Sequence, residues 1–581
     1  MGNVFSFPAG GWAVAALAVV LYAGYRAMLP RPLADIPYNQ DAASKLFGDV
    51  PEMMGYVFRT GRIFCWLTSL TTRHQSPIVQ AFIKPMSLPW VVLTDPLESQ
   101  DILLRRTKEF DRSGMFGDII GGIAPNQHIQ FVSADARFKN SRNLINHLMA
   151  PSFISQVSGP HFYEVAATMI KMWRIKCDVT DGRPFNAHHD LTFLALDAIF
   201  AACFGHPRAE GNTICRLDAI TQWKPILSAN VDEPVSFPEG EVPGVFSAAL
   251  TLANSVTDTQ LSPAPRATSW VMRKFPFMRR AKAIKDKYIR DKVDAAVELI
   301  NAGDNNPTTG LHSVLLRERD VAQKEGRIPY YHSPAIADEF FGFMLAGHDT
   351  TATTVAWGVK YLTDNQHVQA RLRSALRSAL PAATAEKRDP SYAEVTRAHI
   401  PYLDAFIEET LRHANTIAFV VRTAMQDTTV LGRHIPKGTD VFLMANGAGY
   451  LEPNITVEDA TRSSGARSSQ GKALTSLWDD NDIAEFKPER WLTTTVDEKG
   501  NKEESFDPAA GPTLAFGLGP RGCFGRKFAM LEMKILFSLM VWNFELLETP
   551  KELGGYEAVQ RFAREPVKCF VRLARAGSAS G

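Results

Sequence analysis

Phe-Gly-Leu-Gly-Pro-Arg-Gly-Cys-Phe-Gly, residues 516–525, is the stretch that decides the fold of this chain. It holds one cysteine, Cys523, among four glycines, which let the backbone adopt unusual conformations and let a flat ligand approach closely. Apolar residues then recur at helical spacing, at Phe528, Leu531, Ile535 and Leu539. Cys523 is therefore predicted near the N-terminus of a helix. Unpaired amides there and the neighbouring Arg521 favour a thiolate, which suits the axial ligand of a metal.

The pattern Phe-x-x-Gly-x-Arg-x-Cys-x-Gly closely resembles the haem-binding loop of the cytochrome P-450 family, in which a cysteine thiolate holds the haem iron. The resemblance implies a mainly α-helical fold with small β-sheets and haem b as the cofactor. It implies that Cys523 binds the iron and that Phe516 and Arg521 contact the haem. A lone cysteine is otherwise most often a small buried hydrophobe, which is the alternative interpretation.

A second motif, Ala-Gly-His-Asp-Thr-Thr, covers residues 346–351. It lies in a predicted buried helix that continues toward Leu362, with apolar positions at Ile336, Phe340, Phe343 and Met344. An acid and hydroxyls are costly to bury without hydrogen bonds, and threonine hydroxyls compete for backbone carbonyls, so we expect a locally opened helix with a water-holding groove. The hexapeptide resembles the family's oxygen-activation motif, which implies that Asp349 and Thr350 relay protons. A polar helix face towards solvent is the alternative.

Two further arginines are candidates for binding the haem propionates. Arg142 follows Phe138 by four residues on a helical segment, where the family has Trp-x-x-x-Arg. The resemblance implies that Arg142 pairs with a propionate, although Phe138 lacks the N–H of an indole. Arg422 follows the apolar run 417–421, and in the family such an arginine also contacts a propionate.

Two motifs are interpreted as structural. Glu409-Thr410-Leu411-Arg412 lies in a helix predicted to start near Pro401, so that the acid and the arginine share one helix face. Phe-Lys-Pro-Glu-Arg-Trp covers residues 486–491. Both resemble family elements whose side chains form a buried triad, which implies that Glu409, Arg412 and Arg490 meet in the core.

Composition excludes several other classes of protein. The formal net charge is +1 over 581 residues, so no global field favours nucleic acid or an acidic partner. The six cysteines are scattered without a Cys-x-x-Cys pair, which excludes a zinc site and a disulfide framework. From about Pro225 to Pro265 the chain is rich in proline, serine and acids, which predicts a long loop. A basic helical segment follows, and its alternatives are a solvated face or contact with membrane lipid.

The N-terminal region predicts a retained membrane anchor. Residues 8–25 form an uncharged, largely apolar run that would reach about 27 Å as a helix, close to the hydrocarbon thickness of a bilayer. A cleavable signal peptide is the alternative, but no basic residue precedes the run and no polar cleavage region follows it. Arg26 and Arg31 place the downstream chain in the cytoplasm. The predicted organisation, single-pass in the endoplasmic reticulum membrane, comprises a luminal N-terminus (1–7), a transmembrane anchor (8–25), a proline-rich linker (26–37) and a haem-thiolate catalytic domain (38–581).

The resemblance implies a monooxygenase that inserts one oxygen atom from O2 into a mostly apolar small organic substrate, by hydroxylation, epoxidation or multi-step oxidation, in fungal secondary metabolism. The 58 residues after Cys523 are too few for a flavin domain, so we expect electrons from NADPH through a separate NADPH-cytochrome reductase. One alternative is the same fold acting as an isomerase or dehydratase, against which the Asp349 and Thr350 pair argues. The other is a membrane-anchored haem-binding sensor without turnover.

Overall fold

A computed structural model describes residues 9–224, 226–262, 264–467, 475–496 and 502–577 of the chain. The predicted luminal segment 1–7 lies outside the described residues. Helices dominate the described chain and the sheets are small, so the predicted fold class is confirmed.

The α-helices are α1 Ala9–Met28, α2 Val50–Thr60, α3 Ile63–His74, α4 Pro96–Leu104, α5 Met115–Ile120, α6 Ala136–Ile145, α7 Pro151–Phe153, α8 Gly159–Thr180, α9 His188–Phe204, α10 Asn212–Thr221, α11 Gly244–Gln260, α12 Pro265–Met272, α13 Pro276–Asn301, α14 Gly310–Glu325, α15 Pro334–Asp364, α16 Gln366–Ala379, α17 Pro381–Ala385, α18 Tyr392–Arg397, α19 Pro401–Ala414 and α20 Arg526–Asn543.

The strands are β1 Ile78–Ala81, β2 Trp90–Leu93, β3 Phe110–Arg112, β4 Phe185–Asn186, β5 Phe419–Ala424, β6 Thr428–Val430, β7 Arg433–Ile435, β8 Asp440–Met444, β9 Leu492–Val496, β10 Lys502–Phe506, β11 Phe544–Leu547, β12 Ala558–Gln560, β13 Arg564–Pro566 and β14 Phe570–Arg575.

The chain divides into two compact units, of which the first comprises Met1–Asp111 and Phe419–Ala473. Its main element is a five-stranded sheet in the order β1-β2-β8-β5-β3. The β2 and β8 strands pair in parallel, whereas β1 pairs with β2, and β5 with β8, in antiparallel fashion. Phe64 of α3 contacts Phe419 of β5 with ring centroids 4.2 Å apart, so that α3 packs against the sheet. In the described residues no helix has both the length and the apolarity that crossing a bilayer requires.

The second unit comprises Arg112–Ala418 and Leu474–Gly581, and its central element is α15. This helix runs for 31 residues, and the side chain of Ser333 caps its start by accepting a hydrogen bond from the amide of Ala335. The predicted apolar positions lie in the core, since Phe340 and Leu362 are fully buried. Gly347 allows close packing against α9, because a Cβ at this position would lie 3.0 Å from Cδ1 of Ile199.

The predicted long loop between Pro225 and Pro265 is wrong over much of its length. Pro225 itself lies outside the described residues, but the structure forms α11 from Gly244 to Gln260. The cluster of helix-breaking prolines ends at Pro243, which precedes the first turn of the helix. The residues after it carry an apolar face that is buried in the core, formed by Phe246, Ala249, Leu252 and Val256.

The predicted buried triad is confirmed. The Arg412 guanidinium donates to both oxygens of Glu409 at 2.9 and 2.8 Å, and Nε of Arg490 donates to Oε1 of Glu409 at 3.1 Å. The indole of Trp491 donates to the same carboxylate at 2.9 Å. Burial raises the pKa of Glu409, but hydrogen bonds from Arg412 and His413 outweigh it and hold this pKa well below its usual range. The helix that carries Glu409 begins at Pro401, as predicted.

Candidate active site

The loop before α20 is shaped by its own backbone hydrogen bonds. The amide of Cys523 donates to the carbonyl of Phe516 at 2.7 Å, and the amide of Gly522 donates to that of Gly519 at 3.0 Å. Gly517 and Gly519 have φ values of 59° and 70°, in the left-handed region that favours glycine. The spacing of the glycines is therefore what allows the loop to turn back on itself and present Cys523.

Cys523 lies before the first turn of α20, as predicted. Desolvation by the surrounding protein raises the pKa of this thiol and outweighs the amides of Gly525 and Arg526 and the charges of Arg526 and Arg142, which lower it. The expected preference for a thiolate is therefore wrong for the protein alone, because desolvation disfavours the charged form. A metal cation reverses this balance, since a coordinating thiol is deprotonated outright.

One of the predicted arginines, Arg521, belongs to this loop, and a second, Arg142, lies beside it. Cζ of Arg142, on α6, is 4.5 Å from the ring centroid of Phe524, and its charge acts on Cys523. Cζ of Arg521 is 3.9 Å from the ring centroid of Phe138, and Nη2 of Arg521 donates to the Ile129 carbonyl at 3.2 Å. Phe138 thus gives Arg521 an aromatic face to stack on, where a tryptophan would also have offered an N–H group.

Phe516 and Arg422 have different surroundings. The ring centroid of Phe516 lies 5.6 Å from Cζ of Arg526, at the start of α20. Arg422 belongs to the first unit, where it is 3 % exposed on β5 and donates to the carbonyl of Val421 at 2.9 Å. Its predicted contact with a propionate stays a prediction.

The motif with Asp349 and Thr350 lies in the middle of α15, which is continuous there, so the expected local opening of the helix is wrong. The hydroxyls of Thr350 and Thr354 donate to the carbonyls of Ala346 and Thr350 at 2.7 and 2.8 Å. Such bonds to a carbonyl one turn earlier leave the helical ladder in place. Burial raises the pKa of Asp349 to about 6, although the charge of Arg561 and the amide of Ala563 act to lower it.

Sequence reasoning missed a hydrogen-bonded contact between α15 and the segment before α6. Glu339 is fully buried, and its Oε2 lies 2.6 Å from Nδ1 of His128. The amide of His128 donates to the other oxygen of Glu339 at 2.8 Å. The position of Glu339 three residues after Ile336, on the apolar helix face, was a usable signal of burial. Phe343, a further residue of α15, stacks on Phe524 with ring centroids 5.8 Å apart.

These side chains fit one kind of metal centre. Across the described residues, no group of three or more histidine, cysteine or acidic side chains could hold a metal ion by itself. The arginines in and beside the loop suit the carboxylates that a haem carries. The fold and the arginines around this loop fit a protein that binds haem.

Comparison with known proteins identifies the family. The family model described as Cytochrome P450 matches residues 73–450 and 477–556, and the chain belongs to this family. The chain is 36% identical to the cytochrome P450 monooxygenase TRI13 of Fusarium sporotrichioides, over 96% of this chain and 98% of that protein. It is also 36% identical to the cytochrome P450 monooxygenase GME11363 of Pestalotiopsis microspora, over 97% of this chain and 98% of that protein.

A solved structure agrees with this assignment. The crystal structure of the cytochrome P450DA heme domain superimposes with a TM-score of 0.64 at 18% identity, covering 94% of this chain and 98% of that one, which shows the shared fold. With relatives named as monooxygenases, the chain is a haem-dependent monooxygenase and an oxidoreductase. The alternatives without oxygen insertion, an isomerase, a dehydratase or a sensor, are not favoured.

Proposed function

We propose that Cys523 binds the haem iron and that Phe516, Arg142, Arg422 and Arg521 bind the macrocycle and its propionates. The observation that carries this proposal is the position of Cys523 directly before α20, where the amides of Gly525 and Arg526 act to lower the pKa of its thiol. Hydrogen bonds to a ligating sulfur tune the charge that the thiolate donates to iron. The guanidinium groups of Arg142 and Arg521 supply positive charge beside the loop.

Asp349 and Thr350 are the proposed proton-handling pair. When bound, the haem activates O2 and inserts one oxygen atom into the substrate. With a pKa of about 6, Asp349 can exchange a proton near neutral pH, which is the requirement for a general acid. The Thr350 hydroxyl donates its own proton to the Ala346 carbonyl, so the lone pairs of its oxygen stay available to accept one.

The substrate is proposed to be a mostly apolar small organic molecule of fungal secondary metabolism, which is hydroxylated, epoxidised or oxidised in several steps. One relative, from Dothistroma septosporum, is named a cytochrome P450 monooxygenase of the Hps1-dma1 cluster, and it is 36% identical over 50% of this chain and 96% of its own length. Electrons are proposed to come from NADPH through a separate NADPH-cytochrome reductase.

The chain is proposed to be anchored in the endoplasmic reticulum membrane by residues 8–25, with residues 26–37 as a linker and 38–581 as the cytoplasmic catalytic domain. Support comes from α1, which carries one basic residue, Arg26, in its last turn. Its apolar side chains are exposed, among them Val14, Leu17, Val19, Val20 and Leu21. Membrane association of the family is consistent with this arrangement.

The reduced, carbon-monoxide-bound absorption spectrum of purified protein tests the site. We expect the red-shifted Soret band of a thiolate-ligated haem, and we expect Cys523→Ala to abolish it. Cys215→Ala is the matched control, because Cys215 is a half-buried free cysteine on α10 and should leave the band unchanged. Wild-type protein that binds haem without this band would overturn the assignment of Cys523.

A further inference from the structure

The short segment from Asn126 to Ile129 connects α15 with the loop that holds the cysteine. At its start, the backbone amide and the side-chain amide of Asn126 both donate to Oδ2 of Asp338 on α15 at 2.9 Å. At its end, the carbonyl of Ile129 accepts a hydrogen bond from Nη2 of Arg521 in the loop at 3.2 Å. The residues between these two points are therefore held against both elements of the proposed haem site.

His128, inside this segment, is oriented by Glu339 of α15. Nδ1 of the imidazole lies 2.6 Å from Oε2 of Glu339, and the backbone amide of His128 donates to Oε1 at 2.8 Å. Glu339 is fully buried and His128 is 8% exposed, so water competes little for this bond. Since an ionised carboxylate only accepts hydrogen bonds, Nδ1 is the donor of the pair. The hydrogen-bond contacts of the ring within the described residues are made at Nδ1, so Nε2 is the nitrogen left for a ligand.

The ring of His128 lies among the side chains that surround the cysteine loop. Its centroid is 6.1 Å from that of Phe524, in an edge-to-face arrangement, and 5.9 Å from that of Phe138. The same two aromatic rings contact the guanidinium groups of Arg142 and Arg521, at 4.5 and 3.9 Å. The imidazole therefore belongs to the cluster of aromatic and cationic groups that is proposed to bind the haem carboxylates.

We propose that His128 is a further haem-binding residue, which donates a hydrogen bond from Nε2 to a haem carboxylate while Glu339 holds the ring. This inference rests on the proposed function, because it adds a residue to the same haem site. An imidazole that donates to one carboxylate at Nδ1 can donate to a second at Nε2, since both nitrogens are donors in the imidazolium. Carboxylates on two edges of the ring stabilise this charged form. Glu339 acts through His128 and is therefore a positioning residue.

Two amide substitutions separate this role from a purely structural one. In the structural role, the imidazole only supplies a donor to the buried Glu339 carboxylate, which is costly to leave without hydrogen bonds. His128→Asn keeps an amide donor at the position of Nδ1, but it has no group at the position of Nε2. His128→Gln has a longer side chain, whose amide reaches the position of Nε2. Haem binding and support of Glu339 thus predict opposite outcomes for the two variants.

The test measures the transfer of haem from the ferric holoenzyme to excess apomyoglobin at neutral pH. We expect His128→Asn to lose haem roughly tenfold faster than wild type or more, as for the loss of a hydrogen bond to a charged group. His128→Gln should stay close to the wild-type rate. His332→Asn is the matched control, because His332 is an exposed histidine that pairs with Asp294 at the surface, and this variant should lose haem as wild type does.

Haem with both carboxylates esterified identifies the group that His128 binds. We expect full-length apoprotein reloaded with this ester to lose it equally fast in wild type and in His128→Asn, because an ester carries no charge for the imidazolium to pair with. A faster loss of the ester from His128→Asn than from wild type would show that His128 supports the pocket instead of a carboxylate, and it would overturn the inference.

The carbon-monoxide band distinguishes failure of this inference from failure of the proposed function. If His128→Asn keeps haem as wild type does, His128 makes no contact with the haem and the inference is overturned, whatever the behaviour of His128→Gln. If both variants lose haem faster to the same extent, His128 has a structural role and the inference is again overturned, while the band of the wild-type protein stands. A wild-type protein without the thiolate-type band would instead defeat the proposed function.

Discussion

Arg142 and Arg521 are two of the arginines at the Cys523 loop, and substituting them tests haem binding separately from the binding of iron by Cys523. We expect Arg142→Ala to lower the affinity for haem by roughly ten- to a hundredfold, because a charge-assisted hydrogen bond contributes about 1.5–3 kcal/mol. Haem retained after gel filtration, measured by pyridine haemochromogen, gives the readout. Arg137→Ala is the matched control on the same helix, since Arg137 is exposed and pairs with Asp135. Equal retention of haem by both variants would contradict a propionate role for Arg142.

At the residue scale, the sequence predicted the backbone conformation around Cys523 better than it predicted the pKa of the Cys523 thiol. The glycine and cysteine spacing was sufficient to predict the turn at residues 516–525 and the start of α20, because these follow from local backbone preferences. The pKa of the Cys523 thiol could not be predicted, because it depends on desolvation by atoms that are distant in sequence.

Breaking the contact between α19 and the segment 488–491 is expected to lower the stability of the fold strongly. Glu409→Ala would leave the guanidinium groups of Arg412 and Arg490 buried, with exposed side-chain fractions of 1% and 6%. We expect a loss of about 3–5 kcal/mol in the free energy of unfolding, measured by denaturant titration of the holoenzyme. Glu386→Gln breaks an exposed pair with Arg388 and should change stability by less than about 1 kcal/mol. Equal effects of the two substitutions would refute the structural role of the triad.

Glu532, in the middle of α20, is expected to make the stability of the fold depend on pH. Burial raises the pKa of Glu532 to about 8, and its Oε1 has no hydrogen-bond partner among the described residues. The folded state therefore keeps a proton that the unfolded state releases, so stability falls as pH rises from the unfolded pKa through the folded one. Between about pH 4.5 and 8 this group costs on the order of 3–5 kcal/mol, given about 1.4 kcal/mol per pKa unit.

The Glu532→Gln variant isolates the pH-dependent contribution of Glu532 to stability, because glutamine has the same shape and does not titrate. We expect the variant to unfold at a higher temperature than wild type above pH 8, with the difference shrinking as pH falls toward 5. Thermal melts of both proteins across this range provide the measurement. A temperature difference that stays constant with pH would show that Glu532 does not titrate between the two states.

Elements with strong internal periodicity were predicted well, and those defined by tertiary packing were not. The apolar repeat of α15 and the start of α19 at Pro401 were confirmed. The helix α11 was not predicted, because the prolines before Gly244 led to a loop prediction for the whole segment. Its apolar face is buried by packing against α13 and the rest of the core, which the sequence alone does not show. The continuity of α15 was also not predicted. Its threonine hydroxyls donate hydrogen bonds to carbonyls one turn earlier, and the helix stays closed.

At the scale of the whole molecule, the sequence motifs predicted the class of protein. The membrane anchor, residues 8–25, is a separate prediction that truncation tests. A chain lacking residues 1–37 should lose most of its sedimentation with membranes, because the exposed apolar side chains of α1 would be absent. It should keep the thiolate-type carbon-monoxide band, since Cys523, Arg142 and Arg521 lie in the other compact unit. Replacing Val19 and Leu21 with lysine in the full-length chain is the matched control and should weaken membrane binding without shortening the protein. Full sedimentation of both variants would show that another surface holds the protein on the membrane.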